Sequence, residues 1–253
     1  MVRISAIKYL NTIPFIYGLE SSPIMDEIVM EFCSPAESAD NLLSDRSDVG
    51  IVPVAIIPSL TDAHIISDYC IGATDKVASV LLCSGVPLKE IRHIKMDGDS
   101  RTSQLLTRVL CRDYWHIYPE FVQFDYESEG INPALSYMLI GDKALAERER
   151  FAYTYDLARE WVDFTGKPFV FACWTANKPL GQDFVKKFNE ALRYGTDNIG
   201  DAIKKHCHQF SEEYAENYLK SNISFALDSD KRAGLTEFWR VALEKLNPRV
   251  NWL

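Results

Sequence analysis

The sequence contains a nearly continuous apolar run, "DVGIVPVAII", at residues 48–57. Apart from Asp48 and Gly50, it contains only apolar residues and one proline. A strand with one wet face would alternate apolar and polar residues, whereas a run this continuous is typical of a strand buried on both faces. Such strands occur in parallel sheets whose two faces are covered by helices. The stretch therefore predicts an α/β protein.

The chain on either side of this run alternates strand and helix signals. Upstream, "SPAESADNLL" at residues 34–43 has Ser34 at the N-cap, a proline next, and Glu37 at the third helical position. This arrangement is a capping box and predicts a helix. Downstream, "KVASVLLCS" at residues 76–84 predicts another buried strand. The alternation extends the α/β pattern over the first part of the chain.

After Gly85 the pattern starts again. "IRHIKM" at residues 91–96 predicts a strand, and residues 98–114 predict a helix with a polar start. The last apolar strand is "FVFACWTA", residues 169–176, and the chain beyond it has helical periodicity, with Gly195 as an expected helix stop. The sequence therefore predicts a second α/β unit, with helices at the end of the chain.

Because no linker rich in Pro, Gly or Ser separates the two units, we predict two lobes joined by crossing strands. The expected first lobe is residues 1–84 with 174–253, and the second is residues 85–173. The crossing strands would be residues 77–84 outward and 169–176 back. Ligands in such proteins bind in the cleft, against strand ends and helix starts.

Composition excludes several functions. The 253 residues are 47% hydrophobic and carry a net charge of −9 with no basic run, which argues against nucleic-acid binding. No segment approaches the ~20 apolar residues that span a bilayer, and the N-terminus does not resemble a signal peptide. Six scattered cysteines predict reduced thiols, and so a cytoplasmic protein. The oligomeric state cannot be read from the sequence.

The helix start in "DGDSRTSQLL", residues 97–106, is the main anion-site candidate. A helix N-terminus offers free N–H groups and a partial positive charge. Here the hydroxyls of Ser100, Thr102 and Ser103 surround it, with Arg101 among them. Several donors could hold one carboxylate together. The alternative is an ordinary N-cap beside a solvated arginine.

Two further junctions follow strands. In "KYLNTIPFIYGL", residues 8–19, Asn11 either caps a helix or faces a ligand. In "LIGDKAL", residues 139–145, Gly141 permits close backbone approach to a ligand, and the alternative is a turn in which Asp142 caps the next helix.

Metal and nucleotide sites are not predicted. In "KHCH", residues 205–208, the two histidines are two positions apart and so point to different faces of a helix. No glycine-rich phosphate loop is present.

Taken in order, these pieces resemble the chorismate dehydratases of the futalosine route to menaquinone. The resemblance covers about residues 4–195 and is carried by Tyr-Leu-Asn-Thr at residues 9–12, Ser-Arg-Thr-Ser at 100–103 and Ile-Gly-Asp at 140–142. It implies a two-lobed fold like that of the type 2 periplasmic binding proteins, with a ligand cleft between the lobes. It also implies conversion of chorismate to 3-[(1-carboxyvinyl)oxy]benzoate and water, without metal or organic cofactor.

One departure from the family pattern is visible. Members commonly have an acidic-Ala-Ala-Leu-Leu run before Ile-Gly-Asp, whereas this chain has "NPALSYMLIGD". Ser136 and Tyr137 therefore make the wall of that strand less standard.

The resemblance also suggests roles for residues. Asn11 would be catalytic, orienting the leaving hydroxyl or the enolpyruvyl carboxylate, while Thr12 takes over the helix cap. Asn11 cannot be a general base, because an amide does not accept a proton near neutral pH. Ser79 would be a second catalytic hydroxyl. The expected substrate contacts are Ser100, Arg101, Thr102, Ser103, Gly141 and Asp142.

No His, Asp or Glu in these motifs marks itself as the base. We therefore expect the enolpyruvyl carboxylate of the substrate to take the ring proton. Two alternatives stay open. One is the later pathway enzyme, 1,4-dihydroxy-6-naphthoate synthase, which has a Ser-Pro-Cys-Pro-Asn-Asp-like stretch where this chain has Tyr-Leu-Asn-Thr. The other is a non-catalytic solute-binding protein of the same fold.

Overall fold

The computed structural model describes residues 1–243 and 251–252. Their strands form two separate sheets. The strands are β1 (Val2–Ile7), β2 (Ile28–Cys33), β3 (Val49–Pro53), β4 (His64–Ala73), β5 (Val80–Ser84), β6 (His93–Asp97), β7 (Glu120–Phe124), β8 (Ser136–Ile140), β9 (Tyr153–Asp156), β10 (Phe169–Ala176), β11 (Ser224–Ala226) and β12 (Asn251–Trp252).

Helices cover both sheets. They are α1 (Ile13–Glu20), α2 (Pro35–Leu43), α3 (Arg101–Val109), α4 (Tyr126–Glu129), α5 (Gly141–Glu147), α6 (Leu157–Thr165), α7 (Gln182–Asp197), α8 (Ile199–His206), α9 (Glu212–Ser221) and α10 (Ser229–Leu243). Shorter 3-10 turns, among them Leu10–Thr12 and Val54–Ser59, connect them, and a π-helical turn, Leu110–Trp115, continues α3.

The first sheet has the strand order β11-β4-β10-β3-β1-β2, with β12 paired to β4. The first half of the apolar run at residues 48–57 forms β3, and all five residues of this strand are buried. It pairs parallel with β1 and antiparallel with β10. The apolar run does not stay extended beyond Pro53, because it bends into the 3-10 turn Val54–Ser59. We call this sheet and the helices packed on it the first lobe.

The second sheet has the order β7-β6-β8-β5-β9 and forms the second lobe with its helices. One expectation is wrong here. Neither of the two expected crossing strands crosses between the sheets, since β5 pairs with β8 and β9 in the second sheet and β10 pairs with β3 and β4 in the first. The outward crossing is the segment 74–79, and the return runs through α6 to β10. The lobe limits at residues 84 and 174 stay a prediction, because sheet pairing concerns strands alone.

The helix starts follow the local chemistry of the sequence. Ser34 accepts the N–H of Glu37, and Glu37 accepts the N–H of Ser34, so the capping box of α2 is confirmed. Gly195, in contrast, does not stop α7, which continues to Asp197. Its role is close packing, because a side chain there would overlap the carbonyl oxygen of Pro14 in α1. The apolar pattern of the last helix extends to Leu246, which lies outside the described residues.

Candidate active site

A cavity of about 60 Å³ lies between the two lobes. Both lobes line it, and most of its wall is apolar. The apolar lining residues are Ile7, Pro35, Ile51, Pro53, Ile71, Val80, Ile140, Phe171 and Ala172. The remaining lining residues are Tyr9, Asn11, Thr12, Ser100, Ser103 and Gly141. No Asp, Glu, His, Lys or Arg side chain lines this cavity in the part of the chain that the structure describes.

Helix starts from both lobes meet at this cavity. Pro35 is the first residue of α2, and Ser100 is the N-cap of α3. Thr12 immediately precedes α1. Helix N-termini carry a partial positive charge and N–H groups without intrahelical acceptors. The cavity therefore favours an anion although no cationic side chain lines it.

The two serines of the predicted anion site lie together in the cavity wall. Ser100 Oγ accepts the backbone N–H of Ser103 at 3.2 Å, and the two hydroxyl oxygens are 2.9 Å apart. Both side chains are nearly fully buried. Because each hydroxyl has acceptor and donor capacity, one of the pair is left with a hydrogen for another partner.

Arg101 and Thr102 do not line the cavity, although they belong to the same predicted motif. The guanidinium of Arg101 pairs with Asp40 of α2 at 2.6 Å. Thr102 Oγ1 accepts the backbone N–H of Ala55 at 3.2 Å. Both residues of the second lobe thus bind partners in the first lobe, so they hold the lobes together.

Asn11 occupies neither helix cap. It lies inside the 3-10 turn Leu10–Thr12, and the residue before α1 is Thr12. Thr12 is the N-cap residue of α1, as expected, but its side chain makes no cap hydrogen bond. Its hydroxyl is used by the preceding turn, where Oγ1 lies 2.5 Å from the carbonyl oxygen of Ile7 and accepts the N–H of Tyr9 at 3.2 Å. Asn11 is therefore left to face the cavity.

Ser79 is fully buried immediately before β5 and is not one of the lining residues. Its Oγ accepts a hydrogen bond from the hydroxyl of Tyr218 in α9, at 2.7 Å. Asn11 acts on the same phenol from the first lobe, where it partly offsets the effect of burial on the pKa of Tyr218. Burial raises the pKa of Tyr218, which keeps the phenol protonated. Sequence reasoning missed Tyr218, because nothing in its helical context distinguishes it from a core tyrosine.

Gly141 lines the cavity with a φ of +57°, a conformation that favours glycine. A Cβ at this position would lie 3.1 Å from the Tyr9 ring. The N–H of Gly141 donates to the carbonyl oxygen of Ser79 at 2.7 Å. The glycine thus lets the ring of Tyr9, from the first lobe, pack directly on the backbone of the second.

Asp142 lies behind the cavity and is not part of its lining. It does not cap α5, since it lies in the first turn of that helix and Ile140 precedes it. Its Oδ1 accepts the N–H of Leu10 at 3.1 Å, which is another bond between the lobes. Burial raises the pKa of Asp142.

Tyr9 is a lining residue that sequence reasoning did not select. Its hydroxyl donates to Asp99 at 3.5 Å, and Asp99 pairs with Lys143 at 2.8 Å. Burial, followed by the charge of Asp99, raises the pKa of Tyr9, so its phenol stays neutral. Lys143 also lies 3.3 Å from Asp97, so one lysine is shared by two carboxylates behind Tyr9.

The departure from the family pattern does not reach the cavity. Ser136 and Tyr137 lie in β8, but neither lines the cavity. Ser136 Oγ is 2.9 Å from Ser84 Oγ, and the Tyr137 hydroxyl accepts the N–H of Asn132 at 3.1 Å.

Within the described residues, no group of three or more His, Cys, Asp or Glu side chains could hold a metal ion. His206 lies 3.0 Å from Glu20 instead. A search of the same residues found no helix that is both long enough and apolar enough to cross a membrane.

Two α/β lobes around a cleft are the type 2 periplasmic-binding-protein-like fold, and comparison with solved structures agrees. Protein AF1704 from Archaeoglobus fulgidus aligns with a TM-score of 0.77 at 13% identity, over 96% of this chain and 97% of its own. The Candida albicans CA3427 product, which has the generic periplasmic binding protein fold, aligns with a TM-score of 0.61 at 11% identity, over 98% and 91%. The alkanesulfonate-binding protein SsuA from Xanthomonas axonopodis pv. citri, bound to MOPS, aligns with a TM-score of 0.61 at 12% identity, over 98% and 95%.

These structural alignments show the fold, whereas the family is identified from the sequence. The family model for menaquinone biosynthesis matches residues 2–244. The chain therefore belongs to the menaquinone biosynthesis family, and the predicted relationship is confirmed at that level.

Proposed function

We propose that this member of the menaquinone biosynthesis family is a chorismate dehydratase, which forms 3-[(1-carboxyvinyl)oxy]benzoate and water. The observation that carries the proposal is the composition of the cavity. Its walls are apolar, its polar groups are neutral donors at helix starts, and no charged side chain lines it among the described residues. Such a site suits an unsaturated ring that carries carboxylates.

The substrate fits the two kinds of surface. The ring packs on apolar residues such as Ile51 and Phe171, and one carboxylate binds at the start of α3, to the hydroxyls of Ser100 and Ser103. Anion binding by a protein of this fold has a parallel, since the Xanthomonas neighbour is an alkanesulfonate-binding protein. Asn11 orients the departing ring hydroxyl from the first lobe.

In the proposed reaction, the base that removes the ring proton is not a side chain of the protein. The proton at the ether-bearing ring carbon is removed, the neighbouring hydroxyl leaves as water, and the ring becomes aromatic. The loss of water is redox neutral, so it needs no electron carrier. Because the cavity lining contains no carboxylate or histidine among the described residues, the enolpyruvyl carboxylate of the substrate takes the ring proton. It then passes this proton to the departing hydroxyl, which leaves as water, and the carboxylate is regenerated. The protein contributes orientation and hydrogen bonds.

Substrate entry requires the lobes to separate. The cavity between the lobes measures only about 60 Å³. Small-molecule sites are commonly about 300–1,000 Å³. The bonds from Leu10 to Asp142 and from Ala55 to Thr102 join the lobes and must break when the cleft opens.

The test is incubation of the purified protein with chorismate, with products followed by absorbance and mass spectrometry. We expect an aromatic product lighter than chorismate by one water. If chorismate binds but does not react, the protein is a solute-binding protein of this fold. If chorismate neither binds nor reacts, the later pathway enzyme becomes the better candidate, and its substrate is the next to offer.

A chorismate analogue whose enolpyruvyl carboxylate is an amide tests the base. The amide cannot accept the ring proton, so we expect the analogue to bind and not to turn over. Normal turnover of the analogue would exclude the substrate as base.

We also propose that the protein acts in the cytoplasm. All six cysteines are free thiols, and four of them are buried in the core. Reduced thiols are typical of that compartment.

A further inference from the structure

A second cavity lies beside the cavity of the proposed site, and we call the two the outer and the inner cavity. The outer cavity measures about 180 Å³ and is lined by residues 8–10, 13, 142 and 206–210. Three of these residues, Lys8, His208 and Gln209, are exposed to solvent. The residues that line the inner cavity are all buried or half-buried. The outer cavity is therefore a route from solvent toward the inner one.

Tyr9 forms the wall between the two cavities, since it lines both of them. The lobes meet along the same wall. Gly141 lines the inner cavity and Asp142 lines the outer one, and Asp142 Oδ1 accepts the N–H of Leu10 at 3.1 Å. Tyr9 therefore closes a passage that runs along the contact between residues 9–10 of the first lobe and residues 141–142 of the second.

The side chain of Tyr9 is held weakly on the second lobe. Its ring packs against Gly141, which has no side chain to interlock with it. Its hydroxyl donates to Asp99 at 3.5 Å, which is close to the upper limit for a hydrogen bond, and Asp99 has a nearer partner in Lys143 at 2.8 Å. Rotation of the Tyr9 side chain breaks this long bond and does not require the backbone bond of Leu10 to break. The ring can therefore move before the lobes separate.

A cation at the outer cavity has no anionic partner. Lys8 forms no ion pair within the part of the chain that the structure describes, and its Nζ lies 5.8 Å from the centre of the Phe32 ring. His206, in the same lining, differs because it lies 3.0 Å from Glu20. An unpaired lysine beside an entrance attracts anions over a distance. The outer cavity therefore favours the approach of a carboxylate.

We propose that an anionic substrate enters through the outer cavity and that Tyr9 is the gate, whose ring swings away from Gly141 and Asp99 to join the two cavities. The position of the gate is taken from the structure, whereas the identity of the anion as chorismate rests on the proposed function. The gate opens first, at the edge of the contact between the lobes. The lobe separation that a whole substrate molecule requires then follows.

The first test is NMR of the ligand-free protein and needs no substrate. Tyrosine labelled with carbon-13 at Cζ reports movement of the ring axis and is insensitive to ring flips. We expect the Tyr9 signal, assigned by its loss in Tyr9→Phe, to show exchange on the microsecond-to-millisecond timescale in relaxation dispersion. Tyr126 is the internal control, because its hydroxyl donates to Glu147 at 2.9 Å and it lines neither cavity. A Tyr9 signal as free of exchange as that of Tyr126 would overturn the proposal.

The second test follows binding of 3-[(1-carboxyvinyl)oxy]benzoate, the proposed product, by stopped-flow fluorescence. Because entry and exit pass the same gate, Tyr9→Phe should raise the association and dissociation rate constants together, each about threefold, with Kd changed less than about twofold. Tyr126→Phe should change none of these quantities. Unchanged rate constants in Tyr9→Phe would overturn the proposal. A changed Kd at an unchanged association rate would overturn it as well, since Tyr9 would then be a binding residue.

The entrance itself is tested at Lys8. Lys8→Gln should lower the association rate constant about threefold at low salt, with dissociation unchanged, and the difference should shrink at high salt. Lys76→Gln is the matched control, because Lys76 lines a different cavity, and it should leave the rate unchanged. Equal effects of the two substitutions would overturn the entrance at the outer cavity. If the wild-type protein does not bind the ligand, the proposed function fails, and the NMR exchange of Tyr9 alone decides whether it is a gate.

Discussion

The carboxylate of Asp156 accepts the backbone N–H of Ala78 at 2.7 Å and thereby ties together the two segments that connect the lobes. It also accepts the N–H groups of Val77, Ala158 and Arg159, so one side chain serves four donors. Ala78 has a φ of +62°, which is uncommon for a residue with a side chain. The carboxylate offsets this strain and positions Ser79, the next residue.

Removing this carboxylate should destabilise the protein. Asp156→Ala leaves the start of α6 without its cap and the N–H groups of Val77 and Ala78 without an acceptor. The combined cost should be about 2–4 kcal/mol. Urea denaturation measures the loss. Asp163→Ala is the control, because Asp163 is an exposed residue on the same helix that pairs with Arg159 and should cost less than about 1 kcal/mol. Equal losses in the two variants would show that Asp156 does not stabilise the segments that connect the lobes.

Backbone contact between α1 and α7 gives a second prediction. A Cβ on Gly195 would overlap the carbonyl oxygen of Pro14, so Gly195→Ala must push the helices apart. Overpacking of this kind costs about 1–3 kcal/mol or more. Gly200→Ala is the matched control, since a Cβ there meets nothing within 4 Å, and it should stabilise α8 by about 0.5–1 kcal/mol. Thermal unfolding of both variants checks the opposite signs, and a stable Gly195→Ala protein would refute the close packing.

The features that could be predicted from the sequence depend on residues a few positions apart. The capping box of Ser34 and Glu37 is a pair of local hydrogen bonds and appears as expected. Ser100 is the N-cap of α3, which was the alternative interpretation of its motif. Strand β10 has the bounds that its apolar run predicts. In each case the pattern and the stabilising interaction lie within the same segment.

Contacts between distant segments could not be predicted. Tyr218 meets Ser79 across 139 positions, and Leu10 meets Asp142 across 132. The motif at residues 100–103 indicates a helix start with several polar side chains. It does not show which of these side chains line the cavity. The ten-residue strand β4 is not evident from the sequence, because Ser67 and Asp68 interrupt its apolar pattern.

Substitution of Arg101 tests whether this residue contacts the substrate, as predicted, or only pairs with Asp40 of the first lobe. Its pair with Asp40 joins two partly exposed side chains and should contribute less than about 1 kcal/mol. If the pair is its whole role, Arg101→Ala, Asp40→Ala and the double variant should all change KM by less than about threefold and to the same extent. A large rise in KM for Arg101→Ala alone would restore the predicted substrate contact.

Asn11→Ala should separate binding from turnover. An oriented hydrogen-bond donor acts chiefly in the transition state, so kcat should fall about a hundredfold while chorismate affinity falls less than about tenfold. Steady-state kinetics and equilibrium binding measure the two quantities. Asn217→Ala, an exposed position on α9, is the control and should leave both unchanged. Equal losses of affinity and kcat would point to a substrate-binding role for Asn11 instead.

Asp48 should make stability depend on pH in the acid range. Hydrogen bonds from the Arg3 guanidinium and from Lys178 hold the pKa of this buried carboxyl well below its usual range. A carboxyl whose pKa is depressed by folding contributes stability above its unfolded pKa of about 3.9, and the contribution is lost as pH falls toward the folded pKa. Asp48→Asn should therefore cost about 1–3 kcal/mol at pH 7, and its difference from the wild-type protein should shrink below about pH 4.

Denaturant unfolding between pH 7 and pH 3 measures this difference. Asp201→Asn is the matched control, since Asp201 is exposed and its nearest cation, Lys204 Nζ, is 4.0 Å away. At pH 7 it should change the free energy of unfolding by less than about 0.5 kcal/mol. A difference between Asp48→Asn and the wild-type protein that stays constant down to pH 3 would mean that the ionised carboxylate is not the stabilising group. The loss would then come from the changed shape and hydrogen-bonding pattern of the side chain.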